Sequence, residues 1–433
     1  MGDKIIPRTK KDREQEELKA YMVDDNVYFV VHANVPYNLL DKYYDDFLVE
    51  YFYLYLKKEF NVIGDKFVYD NDGSYFFLHL DSKDPIFLKQ RTVRIEETHP
   101  LGRLIDIDVY HKTTKSIRRE DAGLKLRRKC FICERDSYQC RWEKTHTDLE
   151  YSTYIQTIIL NFLKDKVQEL SLKAMIYELD LDPKFGLVTK TSQGSHPDMD
   201  YNLMKNSAYF LSSKLKDYVT LGFETKLRDN LYPDIKNLGK KHEKALLENA
   251  GGVNTYKGLH FLLGYTVTAF GFICSHNVKL KDRYRGLINK IKISGQPLFF
   301  EFLGEPQTTG EKLFKAYGIL GARGEVFYGL RTAQRALRVL EKYGNLSNEA
   351  LTMALIEIVK STTDTVLFAR AKTEESYRYF KDLITSIKVY DEEKIKEVTE
   401  ECIKNNISIG GSADILVVAI FLYLLREEFF GRE

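Results

Sequence analysis

The stretch GRLIDIDVY, residues 102–110, alternates apolar and acidic side chains. Successive side chains of a β-strand point to opposite faces, so this pattern predicts a strand with Ile105 and Ile107 on its buried face. Asp106 and Asp108 then share the other face about 6.6 Å apart, close enough for both carboxylates to bind one divalent metal ion. A solvated polar face of an edge strand is the alternative interpretation.

The sequence on the N-terminal side of this strand mixes strand and helix patterns. Residues 26–35 are rich in β-forming side chains, and residues 36–60 are aromatic and helix-like. Asn71-Asp72-Gly73 lies between two β-rich runs and is typical of a hairpin turn, because glycine accepts a positive φ. This mixture indicates an α/β or α+β domain at the start of the chain.

From Tyr151 onward the apolar residues recur at helical spacing, and short polar loops separate the periodic segments. This change of period places a domain boundary near residue 165. The sequence therefore predicts an α+β domain over residues 1–165 and an all-α domain, a helical bundle, over residues 166–433. A single helix can carry the chain across that boundary.

The composition of the 433-residue chain is that of a soluble globular protein. A hydrophobic fraction of 44% excludes a largely disordered chain and a polytopic membrane protein. Lys+Arg 65 against Asp+Glu 63 leaves a net charge of +2, so we expect neither nucleic acid nor a membrane as a partner. The polar N-terminus lacks the apolar core of a secretory signal, and the apolar runs at 259–275 and 415–425 are expected to be buried helices. The cytoplasm is the expected compartment.

Basic side chains surround the Asp pair in the sequence. Guanidinium groups are the donors that a polyphosphate requires, and paired carboxylates suit transfer chemistry in which Mg²⁺ neutralises a departing diphosphate. We therefore expect Mg²⁺ at Asp106 and Asp108. The arginines concerned are Arg91, Arg94, Arg103, Arg118, Arg119, Arg127 and Arg128.

The cysteines are five in number and three of them are bunched together, which is a poor disulfide framework. Cys130-x-x-Cys133 supplies two thiolates at a spacing that suits one zinc ion, and Cys140 and His146 are candidates for the remaining ligands. Buried free thiols are the alternative interpretation. The sequence leaves zinc and free thiols equally open.

Two glycine-containing loops of the second half carry polar side chains suited to chemistry. The loop 194–200 holds Ser195, His196, Asp198 and Asp200. The loop 251–258 leads into an apolar helix and contains Asn254 and Lys257, and backbone amides with an ammonium group at a helix start form a phosphate cradle. Its spacing is not that of a Walker A loop, and a plain helix-capping loop is the alternative.

Three further polar groups follow in the second half. Glu311 either binds metal or closes a capping box with Thr308, and Arg323 lies between glycines. Ser412 is a natural N-cap for the last apolar helix, whose positive end can alternatively hold a phosphate while Asp414 positions a metal ion. The other candidate residues in these groups are Gly324, Glu325, Asp364, Arg370, Gly410 and Gly411.

Taken together, these motifs resemble two enzyme families over nearly the whole chain. Residues 91–146, from RTVRIEETHPLGRLIDIDV through RRKCFIC to CRWEKTH, are similar to the apo-citrate lyase phosphoribosyl-dephospho-CoA transferase family. Residues from about 180 onward are similar to the triphosphoribosyl-dephospho-CoA synthase family, and the order resembles a natural fusion of the two. In this half the chain has Phe185 and Tyr256 where the synthase pattern usually has proline and histidine. The matching blocks are GLVTKTSQGSHPDMD, GGVNTYKG, TTGEKLFKAYGILGARGE, Asp364-Thr365 and GGSAD.

The resemblance implies two consecutive reactions. The C-terminal half joins ATP to dephospho-CoA through the ATP ribose and releases adenine, and the N-terminal half places the product on a serine of the citrate lyase acyl carrier protein and releases diphosphate. The expected fold is an α+β N-terminal domain, with a nucleotidyltransferase-like mixed sheet that carries the Asp-x-Asp strand, followed by an all-α helical bundle.

The candidate residues fall into three sets on this interpretation. Carboxylates expected to serve in catalysis, as metal ligands or as a base, are Asp106, Asp108, Asp198, Asp200, Glu311 and Glu325. Expected Mg²⁺ ligands are Asp106, Asp108, Glu311, Asp364 and Asp414. Expected contacts to substrate or phosphate are Arg91, Arg94, Arg103, Arg118, Ser195, His196, Asn254, Lys257, Arg323, Gly324, Arg370, Gly410, Gly411 and Ser412.

Two alternative functions are compatible with the same residues. The first is a nucleotidyltransferase that uses Asp106 and Asp108 to modify a protein or an RNA, with the helical half as a recognition module. The second is a non-catalytic scaffold that binds a carrier protein. A bifunctional transferase predicts adenine release from ATP that depends on dephospho-CoA, whereas the scaffold predicts none.

Overall fold

The computed structural model describes residues 9–35, 42–124, 128–133, 135–227, 229–276, 278–306 and 308–431. The chain divides into two compact units, Met1–Phe162 and Leu163–Glu433. One helix, Asp148–Asp180, contains the point of division, as the sequence had allowed. Arg127 lies outside the described residues.

The first unit contains a four-stranded sheet and the helices around it. The predicted hairpin forms between β2 and β3, where Gly73 has a φ of 109°. Its elements in chain order are α1 (Lys10–Tyr21), β1 (Val27–Ala33), α2 (Lys42–Glu59), β2 (Val62–Val68), β3 (Tyr75–Leu80), α3 (Pro85–Thr98), β4 (Ile105–His111), α4 (Ser137–Trp142) and the start of α5 (Asp148–Asp180).

The sheet is antiparallel at every pairing, which corrects the prediction of a mixed sheet. The strand order is β2-β3-β1-β4, and β1 pairs antiparallel with both of its neighbours. The helix α3 carries the chain from β3 to β4, two strands that run in the same direction. Because β1 lies between them, no two parallel strands are adjacent. The α+β character of this unit is as expected.

Each face of the sheet is covered by helix. On one face Leu18 of α1 packs with Tyr28 and Val30 of β1. In the register of the sheet Val30 lies opposite Asp108, so α1 covers the face that carries the Asp pair. The other face packs against α2, whose Tyr53 ring lies 5.3 Å from that of Phe76. The carboxylates of β4 thus lie at the edge of a covered face, beside α1.

The second unit is helical throughout its described elements, as the change of period predicts. Many of these helices are short, and their N-termini meet the loops discussed below. They are the remainder of α5, α6 (Tyr201–Glu224), α7 (Tyr232–Asn249), α8 (Lys257–Ser275), α9 (Leu280–Gly295), α10 (Leu298–Glu301), α11 (Thr309–Tyr317), α12 (Gly321–Phe327), α13 (Arg331–Tyr343), α14 (Asn348–Ser361), α15 (Thr365–Ala371), α16 (Glu374–Thr385), α17 (Glu392–Lys404) and α18 (Gly410–Leu425).

The helices α8 and α18 form the centre of this unit. By length and composition α8 resembles a membrane span, but 83% of its apolar window is buried inside the protein, as expected for a core helix. It crosses α6 at very short range: the two backbones are so close that a Cβ on Gly222 would collide with the carbonyl of Thr268. Residues 415–425 of α18 are likewise buried. These two helices deliver their N-termini to the candidate site.

Candidate functional site

Asp106 and Asp108 lie on the same, partly exposed face of β4. Asp106 is 33% exposed; its Oδ1 accepts a hydrogen bond of 2.8 Å from Arg128, and its Oδ2 lies 3.9 Å from Nε2 of His32. Burial raises the pKa of Asp106, but the charges of Arg128 and His32 outweigh burial and bring the net pKa below its ordinary value. Asp106 is therefore ionised at neutral pH.

The charges of His32 and Lys89 compensate Asp108 only in part. Within the described residues its carboxylate accepts no hydrogen bond, and burial together with the charge of Asp106 raises its pKa. Nδ1 of His32 is also buried, and it has no hydrogen-bond partner among the described residues. The buried Glu14 of α1 is close enough to Asp108 for the two charges to interact. Carboxylates with too few donors form the environment that a divalent cation satisfies. The residues present thus fit a cation at Asp106 and Asp108.

Glu96 of α3 binds both the backbone of β4 and the arginine that contacts Asp106. Its side chain is 2% exposed, and its Oε1 accepts hydrogen bonds of 2.9 Å from the backbone N–H of Ile107 and from Arg128. Its Oε2 accepts a bond of 2.6 Å from Arg119. Arg128 therefore bridges Glu96 and Asp106, and its position depends on both carboxylates.

The other predicted arginines are engaged elsewhere or exposed. Arg91 lies over the Phe60 ring and 3.6 Å from Glu59, while the highly exposed Arg118 pairs with Asp121. Arg103 lies 3.6 Å from Glu97 and donates to the Lys129 carbonyl, and Arg94 is exposed. Among the described arginines of this set, the observed hydrogen bond to the Asp pair comes from Arg128.

The Cys-x-x-Cys segment converges with Cys140 and His146. The ligand atoms of Cys130, Cys133, Cys140 and His146 all lie within 4.8 Å of one another. Sγ of Cys140 is 3.3 Å from that of Cys130 and 3.9 Å from that of Cys133, and Nε2 of His146 is 3.3 Å from Sγ of Cys133. These four residues, the Cys₃His cluster, offer three thiols and an imidazole, a combination of donors that structural zinc sites use.

In the second unit His196 is held between two loops. Arg370 donates to its Nδ1 at 3.2 Å, and since arginine only donates, Nε2 carries the proton toward Oγ of Ser408 at 2.8 Å. Burial and the charge of Arg370 lower the pKa of His196 to about 4. Arg370 also donates to the carbonyl of Ser195 at 2.7 Å and to Oδ1 of Asn406 at 3.0 Å. Arg370 thus braces both loops, and His196 is neutral.

Asp364 links the N-termini of α15 and α18. Its Oδ1 accepts from the backbone N–H groups of Val366 and Leu367, and its Oδ2 accepts from the N–H and the hydroxyl of Ser412 at 2.6 and 2.7 Å. A Cβ on Gly411 would lie 3.1 Å from Oδ1, so glycine permits this close approach. The hydroxyl of Ser195 is similarly engaged by the Ile407 carbonyl at 2.6 Å. These groups build the frame of the site.

Asp414 lies inside this frame against Gly258, at the N-terminus of α8. In the described chain its carboxyl group makes no hydrogen bond, and burial and the charge of Glu178 raise its pKa well above the ordinary value. Nearby, Tyr256 is 3% exposed, and its hydroxyl is buried without a hydrogen-bond partner among the described residues. A carboxyl group with a raised pKa and an unsatisfied hydroxyl therefore lie near the N-terminus of one helix.

A buried ion pair completes this cluster. Nζ of Lys184 donates to Oε1 of Glu178 at 2.9 Å and to the Glu178 carbonyl at 2.7 Å, and the two side chains are 1% and 5% exposed. The charge of Glu178 acts on both Tyr256 and Asp414. We call Glu178, Lys184 and Tyr256, together with the partly exposed Asp414, the buried polar cluster.

Other predicted residues of this half have local partners. Thr308 and Glu311 form the capping box that was the alternative interpretation, and Arg323 donates to Glu311 at 2.8 Å and to Glu301 at 2.9 Å. Glu325 accepts from the backbone N–H of Thr332 at 3.0 Å and so caps α13.

The remaining candidates with polar side chains lie at exposed positions. The exposed Lys257 lies 2.5 Å from Glu243, and Oδ1 of Asn254 is 3.4 Å from the backbone N–H of Lys257. Asp200 caps α6, and Asp198 is exposed and close enough to affect the pKa values of His196 and Arg370. Gly324 and Gly410 lie in the first turns of α12 and α18.

Sequence reasoning missed five residues that the structure brings to these two places. Glu14 and His32 lie in the first 90 residues, where the sequence suggested no candidate, although a histidine inside a β-rich run is a usable signal. Glu96 follows a predicted arginine without a motif of its own. Glu178 and Lys184 lie in the stretch MIYELDLDPKFGLV, where Asp180 and Asp182 are equally charged, so the sequence held no signal that singled them out.

Comparison with known proteins assigns each unit to a family. Residues 164–432 match the family described as ATP:dephospho-CoA triphosphoribosyl transferase (CitG), and residues 34–162 match apo-citrate lyase phosphoribosyl-dephospho-CoA transferase (CitX). The chain is 32% identical to Protein CitXG of Leuconostoc mesenteroides subsp. cremoris, over 77% of each chain. It is 30% identical to Protein CitXG of Haemophilus influenzae, over 82% of this chain and 79% of that one. A probable 2-(5''-triphosphoribosyl)-3'-dephosphocoenzyme-A synthase of Lactiplantibacillus plantarum is 32% identical over 59% of this chain and 95% of its own.

Proposed function

Because this chain belongs to the CitXG family, a fusion of CitX and CitG enzymes, we propose where its two reactions take place and which residues carry them. It is a bifunctional transferase that makes the prosthetic group of citrate lyase and attaches it. ATP and dephospho-CoA are the substrates of the first reaction, with adenine as the leaving group. A serine of the citrate lyase acyl carrier protein accepts the product in the second reaction, which releases diphosphate. Both occur in the cytoplasm.

The buried polar cluster is our candidate for the synthase site. The observation that carries this proposal is the carboxyl group of Asp414, which is partly exposed and accepts no hydrogen bond in the described structure, while the buried hydroxyl of Tyr256 nearby has no partner there either. The N-terminus of α8 at Lys257 offers backbone N–H groups to the ATP triphosphate. Lys257, Asn254 and the hydroxyl of Tyr256 supply further donors there.

Asp414 would handle the proton of this reaction. Burial and nearby carboxylates raise its pKa well above the ordinary value, so Asp414 holds a proton more readily than an exposed carboxyl group does. As the bond from the ribose C1′ to adenine breaks, Asp414 donates that proton to the departing base, as the acid does in glycoside cleavage. The ribose hydroxyl of dephospho-CoA forms the new bond to C1′, and its proton returns to Asp414. The ion pair of Glu178 and Lys184 holds the cluster in place.

An Asp414→Asn variant tests this assignment. We expect adenine release from ATP and dephospho-CoA to fall by roughly 10²-fold or more, the usual worth of a positioned acid or base. Attachment of pre-made prosthetic group should continue at the parental rate. Asp391→Asn, the same change at the N-cap of α17, is the matched control. Adenine release at the parental rate by Asp414→Asn would remove Asp414 from the mechanism.

The Asp pair of β4 is our candidate for the transferase site, with Mg²⁺ as its cofactor. Asp106 and Asp108 would hold the ion, which when bound neutralises charge on the departing diphosphate. His32 and Glu14 line the same face. The partnerless carboxylate of Asp108, within the described residues, is the observation that supports this placement.

Asp108→Asn should abolish attachment to the carrier protein while adenine release continues. The amide keeps the shape of the carboxylate but removes the charge that Mg²⁺ prefers. The mass of the carrier protein after incubation reports attachment directly, and Asp84→Asn, at the N-cap of α3, is the control. Attachment by Asp108→Asn at the parental rate would return β4 to the solvated-strand interpretation, whereas transfer of a bare nucleotide would favour the nucleotidyltransferase alternative.

We also propose that the Cys₃His cluster binds Zn²⁺ as a structural ion. A tetrahedral site with Zn–S bonds of 2.3 Å requires sulfur atoms roughly 3.8 Å apart. The observed separations of 3.3 and 3.9 Å between its thiols bracket that value. Elemental analysis of the purified protein should find one zinc per chain, and a zinc-free protein whose three cluster thiols are reduced would contradict the proposal.

A further inference from the structure

We infer that the Cys₃His cluster serves the transferase site by positioning Arg128, a role that rests on the proposed assignment of that site to Asp106 and Asp108. Arg128 lies two residues before the first ligand, Cys130. Its guanidinium bridges Asp106 and Glu96 at 2.8 and 2.9 Å. The cluster and the Asp pair are thus connected by two residues of backbone.

The backbone between the ligands is organised as a closed loop. The N–H of Ser137 donates to the carbonyl of Arg128 at 2.9 Å, and the N–H of Cys130 donates to the carbonyl of Arg135 at 2.8 Å. Lys129 and Asp136 form the β-bridge between these bonds, and Asp136 caps α4. Cys140 lies on α4, and these bonds therefore tie its helix to the backbone segment of Arg128.

Little apolar burial holds this loop in place. Tyr138 and Trp142 of α4 are 76% and 78% exposed, whereas the ligand residue Cys140 is fully buried. A segment with so few buried apolar side chains needs another source of stability, and metal ligation by thiolates and imidazole is such a source. When the four ligands bind a metal ion, the backbone of Arg128 is held in one position. When they do not, that backbone is free to move.

Displacement of Arg128 would remove one positive charge from the transferase site. Arg128 compensates Asp106 and Glu96, and Arg103 donates to the carbonyl of Lys129 from the same side. Without Arg128, the carboxylates face the anionic substrate with one guanidinium fewer. Arg128 is therefore a positioning residue for Asp106, and the effect should appear in attachment and not in adenine release.

The experiment uses the full chain and pre-made prosthetic group. Cys133→Ser and His146→Gln should each lower zinc below one per chain and increase amide hydrogen exchange over residues 128–146. Each should also lower kcat for attachment by roughly tenfold or more, because each releases Arg128, an outer partner of the proposed metal site at Asp106. Cys402→Ser, a buried thiol outside the cluster, is the matched control. Adenine release by each variant verifies that the rest of the chain is folded.

Variants of Arg128 distinguish a positioning role of this residue from a general loss of stability. Arg128→Gln should keep one zinc per chain and parental exchange over residues 130–146 while lowering kcat for attachment as the ligand variants do. Arg128→Lys should restore part of kcat. Zinc-depleted variants that attach at the parental rate would overturn the inference, as would an unaffected Arg128→Gln. Both results would leave the Asp pair untouched as the transferase site, because Asp108→Asn tests that assignment separately.

Discussion

At the scale of single residues, burial decides the protonation states in the synthase unit. His196 and His260 are 9% and 3% exposed, and burial, with the charges of Arg370 and His242 respectively, lowers the pKa of each to about 4. His260 has its Nε2 2.8 Å from the hydroxyl of Tyr218. Both imidazoles are therefore neutral where a free histidine would be half protonated, near pH 6.5.

Acid should weaken this unit over a defined pH window. The unfolded chain binds a proton at each of these histidines below about pH 6.5, while the folded chain binds none until about pH 4, so stability falls as the pH decreases through that window. Each histidine contributes a slope of up to about 1.4 kcal/mol per pH unit. We expect the urea midpoint, followed by circular dichroism, to fall between pH 7 and pH 5, and to fall less in His260→Gln. An equal fall in the variant would show that His260 titrates normally.

At the scale of helices, several residues with catalytic chemistry serve as caps. Glu325 projects from α12 to the N-terminus of α13, where Leu330 offers no side-chain acceptor. Asp364 is the N-cap residue of α15, and Glu311 closes the capping box at the start of α11. A carboxylate that satisfies free N–H groups stabilises a helix by roughly 0.5–2 kcal/mol.

Glu325→Ala should therefore affect stability more than chemistry. Loss of the cap at Thr332 should lower the free energy of unfolding by about 1–2 kcal/mol, while adenine release measured well below the midpoint stays near the parental rate. Thermal unfolding and the adenine assay on the same preparation give both quantities. Lost adenine release in a folded variant would restore Glu325 to the catalytic set.

The crossing of α6 and α8 depends on glycine at the contact. A methyl group on Gly222 would strike the carbonyl of Thr268, so Gly222→Ala should force the helices apart and destabilise the unit by about 1–3 kcal/mol. Gly239→Ala on α7 meets ordinary contact distances, 3.6 Å from the hydroxyl of Tyr218, and should be neutral or slightly stabilising. Thermal midpoints of the two variants compare them directly, and equal midpoints would show that the α6–α8 contact adapts.

At the scale of the whole molecule, the two activities should be separable. The synthase unit begins at Leu163, and its family match begins at residue 164. Because the buried polar cluster lies wholly beyond that point, a fragment of residues 163–433 should release adenine from ATP when dephospho-CoA is present. Circular dichroism verifies that the fragment is folded. A folded fragment without this activity would show that the first unit is needed for synthesis and would contradict our division near residue 165.

The amino-acid sequence alone was sufficient for the family, the bifunctional activity and the order of an α+β unit before a helical one, because ordered motifs and hydrophobic period are local properties of a chain. It also brought together the ligands of the Cys₃His cluster, which lie within 17 residues of one another. The convergence of Glu178, Tyr256 and Asp414 required the tertiary structure, since these residues come from three helix ends far apart in sequence. Burial raised the pKa values of Tyr256 and Asp414, and hydrogen bonding distinguished Glu325, a helix cap, from Asp414, a carboxyl group without a hydrogen bond in the described chain. Which carboxylates pair with backbone and which stay available to a substrate depends on distances that only the packed helices establish.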